Sequence, residues 1–185
     1  MKRCLILLVA LMLTVSLCAC GGASENSEQG DDSVPAKVVE LDPDAEATAI
    51  ISKYSLSGGS RYSSASQTPG EYLDEDLILS YYGDAAETPD FTQVEAYAVY
   101  IDETKPIKPC EFGIFKMKDG ADAETFVEFL KARIALKLEN AKAYPSMDTE
   151  PLKTAVFTVK GGYVWYAVVK GGNADIDKDL KGRFE

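Results

Sequence analysis

Residues 154–170 read Thr-Ala-Val-Phe-Thr-Val-Lys-Gly-Gly-Tyr-Val-Trp-Tyr-Ala-Val-Val-Lys. No other stretch restricts the fold as much. Two runs of β-branched and aromatic residues flank Gly161-Gly162, a two-residue connection whose backbone needs positive φ at both positions. If Lys160 faces Tyr163, then Val159 opposes Val164, Phe157 opposes Tyr166 and Ala155 opposes Val168. That face is almost wholly apolar and is expected in a core. The other face carries Thr154, Thr158, Lys160, Tyr163, Trp165 and Val169, with Val156 and Ala167. Aromatics beside threonine and lysine suit recognition of a protein or glycan surface, so Tyr163 and Trp165 are the candidate binding residues. The alternative is that a loop or an amino-terminal helix covers them.

The remaining elements follow from periodicity and capping. Asp42-Pro43-Asp44 opens a helix expected to run to about Tyr54, with Ile50, Ile51 and Tyr54 on one face. Residues 55–70 are mostly polar and read as a loop. A second short helix is expected near 73–82, where Asp74-Glu75-Asp76 offset the dipole and Gly83 ends the helix. Residues 91–101 and 110–117 read as strands separated by Pro106 and Pro109. The second strand is apolar on both faces, with Cys110, Phe112 and Ile114 on one and Phe115 and Met117 on the other, which suits a central position or a sheet covered on both sides. The longest helix spans 122–143, capped by Asp122, with Phe126, Val127, Leu130, Ile134, Leu138 and Ala141 in one stripe. Phe129 and Leu136 fall outside that stripe and either meet an amino-terminal helix or stay exposed. The residues after Gly171-Gly172 read as a polar, charged tail. The expectation is an α+β domain: a four-stranded antiparallel sheet of two hairpins, one long helix across a face and two short amino-terminal helices.

The amino terminus gives an address. Met-Lys-Arg precedes an apolar run over residues 5–17, shorter than the roughly 20 residues of a membrane-spanning helix and suited to a signal peptide. Leu17-Cys18-Ala19-Cys20 resembles a lipobox, with Cys18 where Ser, Ala or Thr is more usual. The resemblance implies a signal peptide over 1–19 and a diacylglycerol thioether on Cys20, an anchor of two acyl chains. Residues 20–40 are rich in Gly, Ser, Glu and Asp and read as a flexible tether with a reach of about 25 Å. The single folded domain is then 41–185. The expected location is the extracytoplasmic face of a cell membrane.

Cleavage leaves Cys110 as the one cysteine of the folded part, so it has no intramolecular disulfide partner there. It is read as a buried small hydrophobe or a free thiol. The chain carries 19 basic and 30 acidic side chains, a net charge of −11. Losing Lys2 and Arg3 with the signal lowers this to −13. Such a chain repels nucleic acid and anionic headgroups. There is no histidine, which removes Ser-His-Asp and Cys-His hydrolases, histidine-ligated zinc and histidine-ligated haem.

Other chemistry-bearing patterns are incomplete. Asp175, Asp177 and Asp179 alternate as in a calcium loop, but the sixth position from Asp175 is Leu180 where glycine is required. Gly58-Gly59-Ser60 lacks the Gly-x-Ser-x-Gly elbow, and no Ser-x-x-Lys occurs. No catalytic residue, metal site or cofactor is therefore assigned, and a non-enzymatic role is expected. A carboxylate-dependent hydrolase remains an alternative, requiring Asp or Glu pairs that converge in a cleft with raised pKa values. A structural envelope spacer is the other.

With the elements placed, the chain resembles small lipoproteins of Gram-positive anaerobes that carry domain-of-unknown-function family four-three-five-eight. The matching residues are 79–83 (Leu-Ser-Tyr-Tyr-Gly), 111–116 (Glu-Phe-Gly-Ile-Phe-Lys), Arg133, Tyr144-Pro145 and 159–164 (Val-Lys-Gly-Gly-Tyr-Val), within a similarity over roughly 42–170. The family brings no activity or catalytic residues. It implies an exported, anchored domain of unknown function.

Overall fold

The computed structural model describes residues 39–83 and 88–185. The signal segment, Cys20 and most of the tether lie outside the described residues. No described helix is long and apolar enough to cross a membrane.

The first helix, α1 (Pro43–Lys53), is capped by Asp42, whose carboxylate accepts from Asp44 N at 2.9 Å. Its end is a Schellman motif: Leu56 N–H bonds to Ile51 O and Ser55 N–H to Ser52 O. Ser55 therefore sits at φ 52°, the one non-glycine residue with positive φ among the described residues. A side chain in this left-handed region costs about 1 kcal/mol. Ser55→Gly is thus expected to stabilise the domain by up to that amount, raising the melting temperature by about 2–4 °C. An unchanged or lower midpoint in a thermal scan would contradict the strain.

Strand β1 (Ser60–Ser63) falls in the stretch read as a loop, so the sheet has five strands and not the expected four. The polar Ser-Arg-Tyr-Ser sequence carries little strand signal. It is recruited because the outer edge of β2 (Val94–Asp102) accepts it, with Tyr62 opposite Val99. Helix α2 (Glu75–Tyr82) is capped by Asp74, which accepts from Leu77 N at 2.9 Å. Gly83 ends it with φ −73°, an extended and not a left-handed exit. A 3₁₀ turn at Phe91–Gln93 precedes β2. Strand β3 (Cys110–Met117) is central, as its two apolar faces require. Helix α3 (Ala123–Asn140), capped by Asp122, continues as a 3₁₀ turn over Ala141–Ala143. Of the pair outside its stripe, Phe129 is half-buried and Leu136 is exposed. A single turn, α4 (Glu150–Lys153), leads into the hairpin of β4 (Val156–Lys160) and β5 (Tyr163–Val168). Its register matches the expectation: Val159 faces Val164 and Phe157 faces Tyr166. Gly161 and Gly162 have φ of 61° and 80°.

The strand order is β1-β2-β3-β5-β4, antiparallel throughout. The carboxyl-terminal residues, expected as a polar tail, form helix α5 (Asn173–Gly182). Its apolar residues Ile176 and Leu180 are buried, Asp175 and Asp179 face outward, and Asp177 bonds to the hairpin beneath. Both sheet faces are consequently covered. On one, Phe126, Val127, Leu130 and Ile134 of α3 and Tyr82 of α2 pack on Val99, Phe115, Val164 and Tyr166. On the other, Ala47 and Ile50 of α1 and Ile176 and Leu180 of α5 pack on Ala98, Phe112, Ile114 and Trp165.

The first core has a charged cluster at its margin. Glu111, fully buried, accepts from Arg133 Nε at 3.0 Å, Arg133 Nη2 at 2.8 Å and Lys137 Nζ at 2.5 Å. Arg133 also donates to Tyr81 O at 2.6 Å and lies over the rings of Tyr81 and Tyr82. Burial alone would raise the Glu111 carboxyl, but the charges of Arg133 and Lys137 outweigh it and hold the pKa below the ordinary value. This one cluster ties β3, α3 and α2 together.

Candidate functional site

The expected aromatic surface is corrected by α5. Tyr163 and Trp165 are both buried, Trp165 completely. Trp165 Nε1 donates to Asp177 at 3.1 Å, and Phe184 stacks on the indole at 6.1 Å and 7°. Tyr163 donates to Leu41 O and accepts from Leu41 N. The cover is thus the carboxyl-terminal segment together with residue 41. Neither aromatic is available to a partner.

A different place on the molecule is open. A cleft of about 330 Å³ lies at the end of the sheet where β2 leaves and β3 begins. One wall is the end of α1, from Tyr54 to Ser57. The floor is Tyr100, Asp102 and Cys110. The far rim is Asp148, Val169 and Lys170, and Lys105 and Lys108 come from the loop over 103–109. The volume is within the range of small-molecule sites. Its walls mix the apolar surfaces of Tyr54, Leu56, Pro109 and Val169 with five charged groups.

Each element aims its side chain for a local reason. Asp102 ends β2 and accepts from Thr104 N at 2.9 Å and Thr104 Oγ1 at 2.5 Å, closing an Asx turn. Its second oxygen accepts from Lys105 Nζ at 3.2 Å. Lys105 also donates to Ser57 O at 3.0 Å and so joins the loop to the end of α1. Tyr100 stacks on Phe112 and accepts from Gly59 N at 3.0 Å. Asp148 accepts from Lys170 at 2.6 Å and from Glu150 N at 3.2 Å.

The ionisable groups are set in one direction. Burial pushes the Cys110 thiol up to about 11, and the negative charges of Asp102 and Glu111 add to that, so it is a thiol and not a thiolate at neutral pH. Asp102 is raised by burial but brought below the usual carboxylate range by Thr104 and Lys105. Asp148 is lowered by Lys170 first, then by Glu150 N–H. Neither cleft carboxyl is held protonated, which is what a general acid requires. Among the described residues, no group of three or more metal-ligating side chains converges. Asp177 of the alternating acidic stretch bonds to Thr158, Trp165 and Lys181, and Asp179 pairs with Lys53.

The sequence reading missed the cleft because its residues lie far apart in the chain. One local signal was present: Lys105-Pro106-Ile107-Lys108-Pro109-Cys110 puts two lysines, each directly before a proline, in an acidic chain. Pro106 takes the second position of a turn closed by Lys108 N–H on Lys105 O at 2.8 Å, and both lysines are exposed.

No curated protein and no solved structure matches the chain. The family match is narrower than the resemblance read from sequence: it leaves out the Leu-Ser-Tyr-Tyr-Gly run of α2, and Tyr54, Ser57 and Lys170 of the cleft. It takes in β2 to β5, α3, the lysine loop and Asp148. Over residues 90–169, from the cap of the 3₁₀ turn to the end of β5, the chain matches the model of the family described as "Domain of unknown function (DUF4358)".

Proposed function

We propose that the protein is a lipid-anchored, extracytoplasmic, non-catalytic binding module, and that the cleft beside the 103–109 loop is its binding site. The observation that carries this reading is where the cleft lies relative to the chain's entry into the domain. Leu41 bonds to Tyr163, and Glu40 pairs with Lys116, which faces Tyr163 across β3 and β5. The cleft lies at Cys110, the other end of β3. Seven residue steps at about 3.4 Å separate the two ends by about 24 Å. The chain therefore enters the domain at the end of β3 opposite the cleft, which leaves the cleft clear of residues 40 and 41.

Two measurements test this. Metabolic labelling with an acyl-chain analogue should mark the wild-type protein and not Cys20→Ala, which should be released into the medium. Labelling that survives the substitution would refute the anchor. For the site, ¹H–¹⁵N spectra of the full chain titrated with a fragment set should show shifts gathered at 54–57, 100–110 and 169–170. Shifts scattered over the surface would rule out the cleft.

A further inference from the structure

We infer that the cleft takes a small organic anion, a carboxylate or phosphate head group on an apolar body. The inference rests on the reading of the cleft as a binding site and adds the charge of its ligand. The clefts of this one molecule differ in charge. The chain carries −11 overall, yet the cleft beside the 103–109 loop is lined by three lysines and two aspartates, a net +1. Four other clefts on the described surface are neutral or negative. One has two acids and two lysines, another three acids and Lys116, another two acids and Arg61, and the last two acids alone. A positive cleft on an acidic surface is a local exception that concentrates anions.

Hydrogen-bonding capacity points the same way. Asp102 already accepts three bonds, and Asp148 accepts two. Those two carboxylates keep about three free acceptor sites between them, and the donors exceed that. A lysine has three N–H groups. Lys105 uses two, on Ser57 O and Asp102. Lys170 uses one, on Asp148. Lys108 is exposed and has no ion-pair partner among the described residues. The nearby Asp148 feels the charge of both Lys108 and Lys170, so one carboxylate serves two ammonium groups there. The free donors of the cleft are cationic and outnumber its free carboxylate sites, which favours an anionic acceptor. Tyr54, Leu56 and Val169 supply apolar wall for the rest of such a ligand.

The test titrates the full-length protein in detergent with four probes of one shape: benzoate, phenyl phosphate, benzamide and benzylamine. Spectra are followed at Lys105, Lys108, Cys110 and Lys170. Benzoate or phenyl phosphate should shift these resonances at least tenfold more tightly than benzamide, and benzylamine should not bind. The tighter of the two anions distinguishes a carboxylate from a phosphate ligand. Lys108→Met, at an exposed position with no bonds to lose, should fold normally and weaken the anion about tenfold. Equal binding of benzamide, or of the anion by Lys108→Met, would overturn the charge assignment and leave the cleft as a site. No cleft shift with any probe up to about 10 mM would overturn the site itself.

Discussion

Glu111→Ala is expected to destabilise the domain by about 3–5 kcal/mol, because it leaves the Arg133 guanidinium buried without its carboxylate. Arg133 is only 7 % exposed and Glu111 1 %, so water cannot replace the lost partner. The chemical denaturation midpoint should fall steeply while the slope of the transition stays the same. The pair can be separated from the charge it strands. Glu111→Met with Arg133→Met removes both ions, and this double variant should be more stable than Glu111→Ala alone. If the two variants are equally unstable, the loss belongs to packing and not to the orphaned charge. The pH dependence follows from the same carboxyl. Its folded pKa lies below the unfolded value of about 4.3, so its stabilisation is complete above that pH. It is then lost as pH falls through the lower folded value. The stability gap between wild type and Glu111→Gln should be constant near neutrality and shrink below about pH 4. A gap unchanged at low pH would mean that the carboxylate charge is not what stabilises.

Trp165→Ala should cost a similar amount, about 3–5 kcal/mol, for a different reason. The indole is fully buried between the sheet and the carboxyl-terminal segment, stacked on Phe184 and donating to Asp177. Removing it opens a cavity against β3, where Ile114 is its register partner. Trp165→Phe keeps much of the volume and loses the bond to Asp177, so it should cost about 1–2 kcal/mol. The ratio of the two losses measures packing against polar contact. A Trp165→Ala protein with an unchanged midpoint would mean that α5 does not cover this face in solution.

The parts of the fold that could be read in advance are those whose signal is local. The Gly161-Gly162 turn sets the β4–β5 register by its own geometry, and Asp42, Asp74 and Asp122 mark helix starts because each caps the turn beside it. Two-faced apolarity was enough to put β3 in the centre. Strand β1 and helix α5 were missed because their signals are not local. Ser60–Ser63 is a strand because β2 offers it an edge. Residues 173–182 show mainly acids and lysines, and only Ile176 and Leu180, four apart, disclose a buried stripe. Tyr163 and Trp165 read as exposed because residues 173–182 read as a polar tail, and only a helix there covers the face beneath. The cleft needed residues more than 100 positions apart to meet, from Tyr54 to Lys170. Nothing in linear spacing announces that.

The single tryptophan beneath the last helix also makes the chain its own optical gauge. Its emission is sensitive to whether residues 173–184 are docked, because Asp177 and Phe184 cover the indole. Local release of that segment would move the indole into water while the far-ultraviolet dichroism of the sheet and α3 stayed nearly constant. A red shift that runs ahead of the loss of ellipticity would therefore report fraying of the carboxyl terminus as an event separate from global unfolding.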